Sequence, residues 1–492
     1  MSLSSALNVA QSSLSATSLQ TSIISRNVAG ADNPNFGRKA GLQITSYGGT
    51  VKIASIGRAM DAVLFAGKLA ATSSTTSQQA IVDGLNQLEN TIKDPELNQS
   101  LAAKLGALTN ALQQFGVTPD DPLLAQEVLT RATDIATALN QSSAAISEVR
   151  KQADADMTES VGHVNKLLAE FETNNNEIIK GTKSGRDITD LLDTRDRILS
   201  ELSQEMGIST SMRDGNDMVI YTDSGVTLFE TVPRKVTMAP SFALAPGAAG
   251  GSVFVDGVPV TGASNGAIMP IKSGKIYGSS VVRDDLAVTY QRQVDEIARG
   301  LIEAFAETDQ TVVPPAVPTK LAGLFTTGTA ALLPSGVAVN GIAAAIRVNP
   351  AADPSQGGDL DKIRDGGLAG AAYAYNATGE AGFSDRIQGM LDALNAQRSF
   401  DPSAKADPSN NLAGFASSSV GWLEAQRQTA TTTMGYSKAM LQRTTETLSN
   451  ATGVNIDEEM TAMMELERSY AASSNLISTI DRMLESLLQA VR

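Results

Sequence analysis

Few residues in this chain have the types and spacing for chemistry. The only histidine among the 492 residues is His163. It lies four residues after Glu159 and four before Leu167, on a helical pattern. That setting suits a solvated or rim histidine better than a general base or a ligand. No cysteine is present, which excludes disulfides, thiolate nucleophiles and sulfur-ligated metals. Serine is abundant, and no Gly-x-Ser-x-Gly nucleophile elbow is expected. Gly67-Lys68 and Gly274-Lys275 lack the glycine five positions earlier that a phosphate-cradling loop needs. Asp353, Asp359, Asp361 and Asp365 could offer oxygen ligands, but their spacing does not fit an EF-hand, and a solvated loop is expected. Asp214 with Asp217, or Asp223 with Glu230, could form a hydrolase carboxylate pair in a segment that has no histidine. The expectation is no enzyme, no cofactor and no metal.

Composition narrows the classes further. There are 38 Lys+Arg against 53 Asp+Glu, a net charge of −15, which disfavours nucleic-acid binding and adsorption to anionic membranes. Aromatic residues make up 4% while 42% are hydrophobic, which suits long, closely packed helices more than an enzyme pocket. No stretch is apolar enough to span a bilayer.

The elements that dominate the chain are its two ends. In 453–492, apolar residues recur three and four apart: Ile456, Met463, Leu466, Tyr470, Ile477, Ile480, Leu484, Leu487 and Val491, interrupted by Glu459 and Ser473. Such a heptad seam predicts a helix with one narrow sticky stripe, about 54 Å long at 1.5 Å per residue. Asp457, Glu458 and Glu459 occupy its first turn, where the helix dipole favours negative charge. Met460, Met463 and Met464 form either a soft contact surface or core filling. Residues 1–30 carry a matching seam: Leu3, Leu7, Ala10, Leu14, Thr17, Thr21, Ile24 and Val28. This helix is rich in Ser and Thr and weak alone. It has no charge before Arg26 and no continuous apolar run, so it does not read as a signal peptide.

Between the ends, 40–60 reads as a hairpin turned at Gly48-Gly49. Helices are predicted over 60–92, 97–115, 122–178 and 187–205, with breaks at Asp94-Pro95 and Thr118-Pro119. Asp121 is the expected N-cap before Pro122, and Ser184 with Asp187 resembles a capping box. From 206 to 278 the period switches to two, with a hairpin at Asp256-Gly257. This reads as a small inserted β domain with its own core, projecting outward and dispensable to the ends. Helix resumes near Asp284, recurs at 381–397 and 413–450, and leads into the terminal helix. Residues 320–375 hold short β stretches at best. Trp422 is expected to pack one helix onto the helical domain. The predicted domains are 1–59 with 452–492 (terminal helices and extended arm), 60–205 with 279–451 (a discontinuous helical-bundle domain) and 206–278. The expected fold class is therefore mainly α with an inserted β domain and paired terminal coiled-coil helices.

Residues 27–38 read NVAGADNPNFGR, in which Gly30, Asn33, Pro34 and Gly37 force a turn. This stretch resembles the N-terminal signature of the bacterial flagellar rod, hook and hook-associated axial protein family, matching at Asn27, Val28, Ala29, Pro34, Phe36 and Arg38. Residues 453–488 are similar to the family's C-terminal signature at Gly453, Val454, Asn455, Asp457, Glu458, Glu459, Tyr470, Ala471, Ile477, Thr479, Met483 and Leu487-Leu488. The family's Thr-Pro-Gly-Tyr turn appears here as Asn33-Pro34-Asn35-Phe36, and Glu467 replaces a common Gln. The resemblance implies a structural subunit of the hook–filament junction that polymerises into a ring-like homo-oligomer through its terminal helices. The assembly interface it implies is Leu3, Leu7, Leu14, Ile24, Asn27, Val28, Pro34, Phe36, Ile456, Met463, Leu466, Tyr470, Ile477, Ile480, Leu484 and Leu487. Implied partners are the hook protein, a second junction protein and a cytoplasmic export chaperone on the C-terminal helix. Implied location is the extracellular flagellum, reached without a cleaved signal. Alternatives are a hook or rod subunit, or a secreted hydrolase with its site in the β insert.

Overall fold

Both ends of the chain fold as long helices lying side by side. The computed structural model describes residues 2–90, 100–241, 243–262, 266–313, 315–328, 333–334 and 339–490. Helix α1 spans Leu3–Gly30, and Ser2 caps it by accepting from the Ser5 amide. The chain then turns through 31–38 into a hairpin, β1 (Lys39–Thr45) and β2 (Val51–Arg58), whose tip uses Gly48 and Gly49 at positive φ. Four helices follow: α2 (Ala62–Glu89), α3 (Leu101–Val117), α4 (Pro122–Ser184) and α5 (Thr189–Glu205). Asp121 caps α4 as expected, accepting from Leu123 N with Pro122 at the first helical position. The predicted break at Asp94-Pro95 lies outside the described residues, as does Val491.

The capping box predicted at Ser184 is corrected. Ser184 ends α4 and donates back to Gly181 O, while the α5 entry is held by Asp187, which accepts from Thr189 N. Gly185 makes the break, at φ 67°.

Two three-stranded antiparallel sheets come next. One is β3 (Ile208–Met212), β4 (Met218–Thr222) and β5 (Thr227–Phe229). The other is β6 (Val236–Met238), β7 (Val253–Val255) and β8 (Val258–Pro259). Asp256 and Gly257 both take positive φ between β7 and β8, as a tight hairpin requires. Helix returns nine residues earlier than the periodicity indicated, as α6 (Lys275–Val281). A π-helical turn, Val282–Leu286, joins it to α7 (Ala287–Ala304).

The remainder of the helical domain is short pieces: β9 (Glu307–Thr308), β10 (Lys320–Leu321), β11 (Phe325–Thr326), α8 (Ile342–Ala345), β12 (Arg347–Val348), α9 (Asp361–Asp365), α10 (Asp385–Asn395), β13 (Arg398–Ser399) and β14 (Ser409–Asn410). Two long helices close the chain, α11 (Leu412–Thr452) and α12 (Ile456–Ala490). Helix α11 returns antiparallel along α2, with Ser437 bonded to Ser74 and Arg427 paired with Glu89.

Two apolar cores divide the body, and α4 runs through both. Ala125 to Ala153 pack with α2, α3, α7, α10 and α11, where Trp422 is half-buried. Farther along, Met157, Val161, Val164, Leu168 and Phe171 pack with Ile198 and Leu202 of α5 and with Ile220, Phe229, Val253 and Val255 of the two sheets. The expectation that the β segment carries its own core and projects is therefore corrected. Strands of three to five residues have too little inner face to enclose a core, and they borrow a helical wall. Phe171 of α4 meets Phe229 of β5 edge-on, with ring centroids 4.9 Å apart.

The link between the sheets is pinned where the two cores meet. Arg150, buried on α4, donates to the carbonyls of Ala245, Ala248 and Arg283. Arg283, fully buried in the π turn, pairs with Asp154 at 2.5 Å and Asp284 at 2.7 Å, and donates to Gly251 O.

Candidate assembly interface

Asn27 lies one turn before α1 ends and is 1% exposed. Its Oδ1 accepts from Lys39 N at 2.9 Å, and its Nδ2 donates to Lys39 O at 2.8 Å and to Glu459 Oε2 at 3.0 Å. Glu459, 1% exposed, takes a 2.6 Å bond from Arg38 Nε on its other oxygen. The Arg38 amide donates to Thr452 O, the last residue of α11. Glu459 looks like a flaw in the heptad seam, but it is the point where α1, the arm and α12 are tied together. Phe36 lies against Gly30, where any β-carbon would sit 2.6 Å from its ring, and beneath the Lys39 ammonium at 4.2 Å.

Beyond this knot lies a charged ladder. Asp187, Asp190, Asp193 and Asp196 recur every third residue at the start of α5, and cations from the terminal segment meet them. Arg26 pairs with Asp187 at 3.0 Å and Asp190 at 2.9 Å. Lys39 pairs with Asp190 and with Asp193 at 3.2 Å. Arg58 pairs with Asp193 at 2.9 Å and Asp196 at 2.6 Å. Burial opposes the charges of Asp187 and Asp190, but their hydrogen bonds and cation partners outweigh it and hold both below the usual carboxylate range. Deeper in, burial prevails over Arg58 and raises Asp196. The ladder escaped sequence reading, although its signal was present: four aspartates at a period of three, and an arm over 33–60 with Arg38, Lys39, Lys52 and Arg58 but no acid.

Helices α1 and α12 run antiparallel. Asn27 meets Glu459, and Ser13 meets Ser473 at 3.2 Å, fourteen residues along each helix. The hairpin covers another side of α1, with Gln43 bonded to Gln20 and Val51 N donating to Ser12 Oγ. Of the anticipated interface residues, Ile24, Asn27 and Ile480 are buried, and Leu3, Leu7, Leu14, Val28, Phe36, Met463, Leu466 and Ile477 are half-buried. Pro34, Ile456, Tyr470, Leu484 and Leu487 are exposed. The register explains two of these. Leu3 lies level with position 483, so α12 continues past the start of α1 and its last leucines overhang. Met460 and Met464 also face outward, at 49% and 51% exposure, while Met463 faces inward.

The residues considered for catalysis are otherwise engaged. His163 bonds Glu205 at 2.9 Å on the surface. Asp353 caps a short turn, Asp361 opens α9, and Asp365 holds Arg364 and Asn376. Asp217 accepts from Asn175, Asp223 from Ser273, and Glu230 from Arg213. No group of three potential metal-ligating side chains gathers among the described residues. A Gly-x-Ser-x-Gly spelling does occur at 262–266, with 263–265 outside the described residues. Strand β8 ends at Pro259 and the next helix starts only at Lys275, so a helix does not follow directly on the motif as a nucleophile elbow requires. No helix among the described residues is long and apolar enough to cross a membrane.

Comparison with known proteins agrees with this layout. Residues 85–312 match the family model described as the flagellar hook-associated protein FlgK helical domain. Residues 448–490 match the flagellar basal body rod FlgEFG protein C-terminal model. Flagellar hook-associated protein 1 of Salmonella typhimurium is 23% identical over 253 residues, covering 49% of this chain and 45% of that protein. Its counterpart in Escherichia coli is 22% identical over 253 residues (49% and 46%), and that in Bacillus subtilis 22% over 245 (46% and 48%). The chain thus spans just under half the length of these relatives. The hook junction protein FlgK of Burkholderia pseudomallei aligns at 19% identity and a TM-score of 0.43, over 54% of this chain and 47% of that one. The chain is thus similar to flagellar hook-associated protein 1, through a FlgK-type helical domain over 85–312 followed by an axial-type C-terminal segment over 448–490, and its two ends are knotted together through their signature residues.

Proposed function

We propose that the chain is a structural, non-enzymatic subunit of the bacterial flagellum at the hook–filament junction, and that it polymerises through its terminal helices into a ring. The observation that carries this reading is the pairing of α1 with α12 around the buried Asn27–Glu459–Arg38 knot, with a stripe of large apolar side chains left exposed along α12. On this reading 1–59 with 452–492 is the assembly domain, 60–205 with 279–451 the helical domain, and 206–278 the β-rich insert. The anticipated interface residues divide in role: Ile24, Asn27 and Ile480 hold the intrachain pair, while Ile456, Tyr470, Leu484 and Leu487 face other subunits. Partners are further copies, the hook protein, a second junction protein and, before export without a cleaved signal, a cytoplasmic chaperone on α12. The curated relatives' shared name, flagellar hook-associated protein 1, supports a hook-associated subunit over a hook or rod subunit. The test is electron microscopy of a strain lacking the gene. Hooks without filaments, with flagellin shed into the medium, are expected; missing hooks would overturn the reading.

A further inference from the structure

Besides the outer side of α12 at Ile456, Met460, Met464, Tyr470 and Leu476, the terminal section exposes apolar side chains in two further places that its own chain does not cover. The first is the α12 overhang. Leu484 and Leu487 continue the seam of Ile477 and Ile480, and with Leu488 they lie past the end of α1, at 36%, 54% and 71% exposure. The second is the outer face of the hairpin. Gly41 and Gln43 face α1, so Leu42 and Ile44 point away, at 61% and 39% exposure, with Tyr47 fully exposed at the tip. Lys52, directly across from Ile44, shares that outer face and makes no ion pair among the described residues. Helix α1 itself has no comparable outer surface: Leu19 is its sole large apolar side chain that is exposed.

We propose that the hairpin's outer face, Leu42, Ile44 and Tyr47, seats on the α12 overhang of a second copy, around Leu484, Leu487 and Leu488. This rests on the reading that copies assemble through their terminal sections, and it names the surfaces that meet. Three observations favour a second copy over another occupant. The overhang is a continuation of a seam already used within the chain, so its chemistry is that of a like partner. The neighbour's α1 offers almost no apolar surface, because its own hairpin and α12 consume both faces. Charge is compatible as well, since Lys52 on a face without acids approaches a segment with Asp481 and Glu485 beside the leucines, their charge opposed by Arg482 and, later in the sequence, Arg492. The hairpin lies level with α1 residues 12–20, which corresponds to about 466–474 on α12. Reaching an overhang at 484–488 therefore needs neighbours offset along the helix axis by roughly 20–25 Å, at about 1.5 Å per residue.

The absence of cysteine makes the test direct. The full chain carrying Ile44→Cys and Leu484→Cys, positions that an offset of this size brings level, replaces the wild type in a flagellated strain, and sheared flagella are oxidised and immunoblotted. A ladder of covalent multimers from the double variant, with monomer alone from each single variant, is the expected result. Monomer alone from the double variant, recovered in flagella, overturns the hairpin docking and leaves the junction reading intact. Dimers from Leu484→Cys alone would show that overhangs pair with each other, and dimers from Ile44→Cys alone that hairpins do; either overturns the proposal. Absence of even the wild-type chain from sheared flagella would overturn the junction reading and this inference with it.

Discussion

Glu459 shows how one side chain joins three segments. A carboxylate buried on a helical seam is costly unless it is paired and hydrogen-bonded. Here Arg38 and Asn27 satisfy both oxygens, so either partner's loss strands a charge. Arg38→Ala is expected to cost roughly 2 kcal/mol, less than the about 3–5 of a fully buried pair because Arg38 is 41% exposed. Glu459→Gln in the Arg38→Ala background should recover part of that loss. Thermal melts of the single and double variants check this, and additive losses would contradict it. A second buried carboxylate acts through pH. Burial raises Asp295 to about 6, against the hydrogen bonds it accepts from the Gly341 and Ala343 amides and Gln291. The folded state therefore holds the proton more tightly than the unfolded one. Stability from this group is complete below about pH 4 and is lost as pH rises through about 6, by on the order of 3 kcal/mol. Wild-type protein should melt higher at pH 5 than at pH 7, and Asp295→Asn should flatten that slope. Equal slopes in the two proteins would refute the assignment.

At the scale of elements, the seams were legible because a heptad repeat is a local pattern, and α1 and α12 appear where those repeats run. Leu484 shows where legibility ended. Its spacing marks it as a seam residue, but whether the seam is covered depends on where α1 starts relative to α12, which no periodicity encodes. Leu484→Asp is accordingly expected to leave the melt of the free protein within about 0.5 kcal/mol of wild type, as for other exposed substitutions. Incorporation into flagella should be lost, because a charge would have to be buried unpaired between subunits. Ile480→Asp, placed in the buried part of the same seam, should lower both. Normal incorporation of Leu484→Asp would remove the overhang from the interface. The aspartate ladder on α5 was missed for a related reason: its partners come from residues more than a hundred positions away, and only the fold puts Arg26, Lys39 and Arg58 beside it.

For the whole molecule, the decisive question is how the β segment relates to the helices. The alternating pattern over 206–278 located the strands, since period two is as local as period seven. It could not show that the strands lack an enclosed core, because that depends on which helix faces are available to them. Met157, Val161, Leu168 and Phe171 of α4 share one core with the sheets and with α5, and Arg150 and Arg283 lock the connecting link to the bundle. The sequence-based expectation that deleting 206–278 leaves filaments attached therefore reverses. The deletion should expose the second core and leave two buried arginines without the carbonyls of Ala245, Ala248 and Gly251. Its product should unfold at the α4–α5 end and fail to retain filaments for want of a folded subunit. A milder variant separates folding from assembly. Phe229→Ala removes the ring that meets Phe171, at a cost of about 3–5 kcal/mol. If sheets and helices share one core, native-state hydrogen exchange in this variant should accelerate together in β4, β5 and the Met157–Phe171 stretch of α4. Faster exchange confined to the strands, with α4 unchanged, would mean that the insert unfolds independently and that the deletion is tolerable after all.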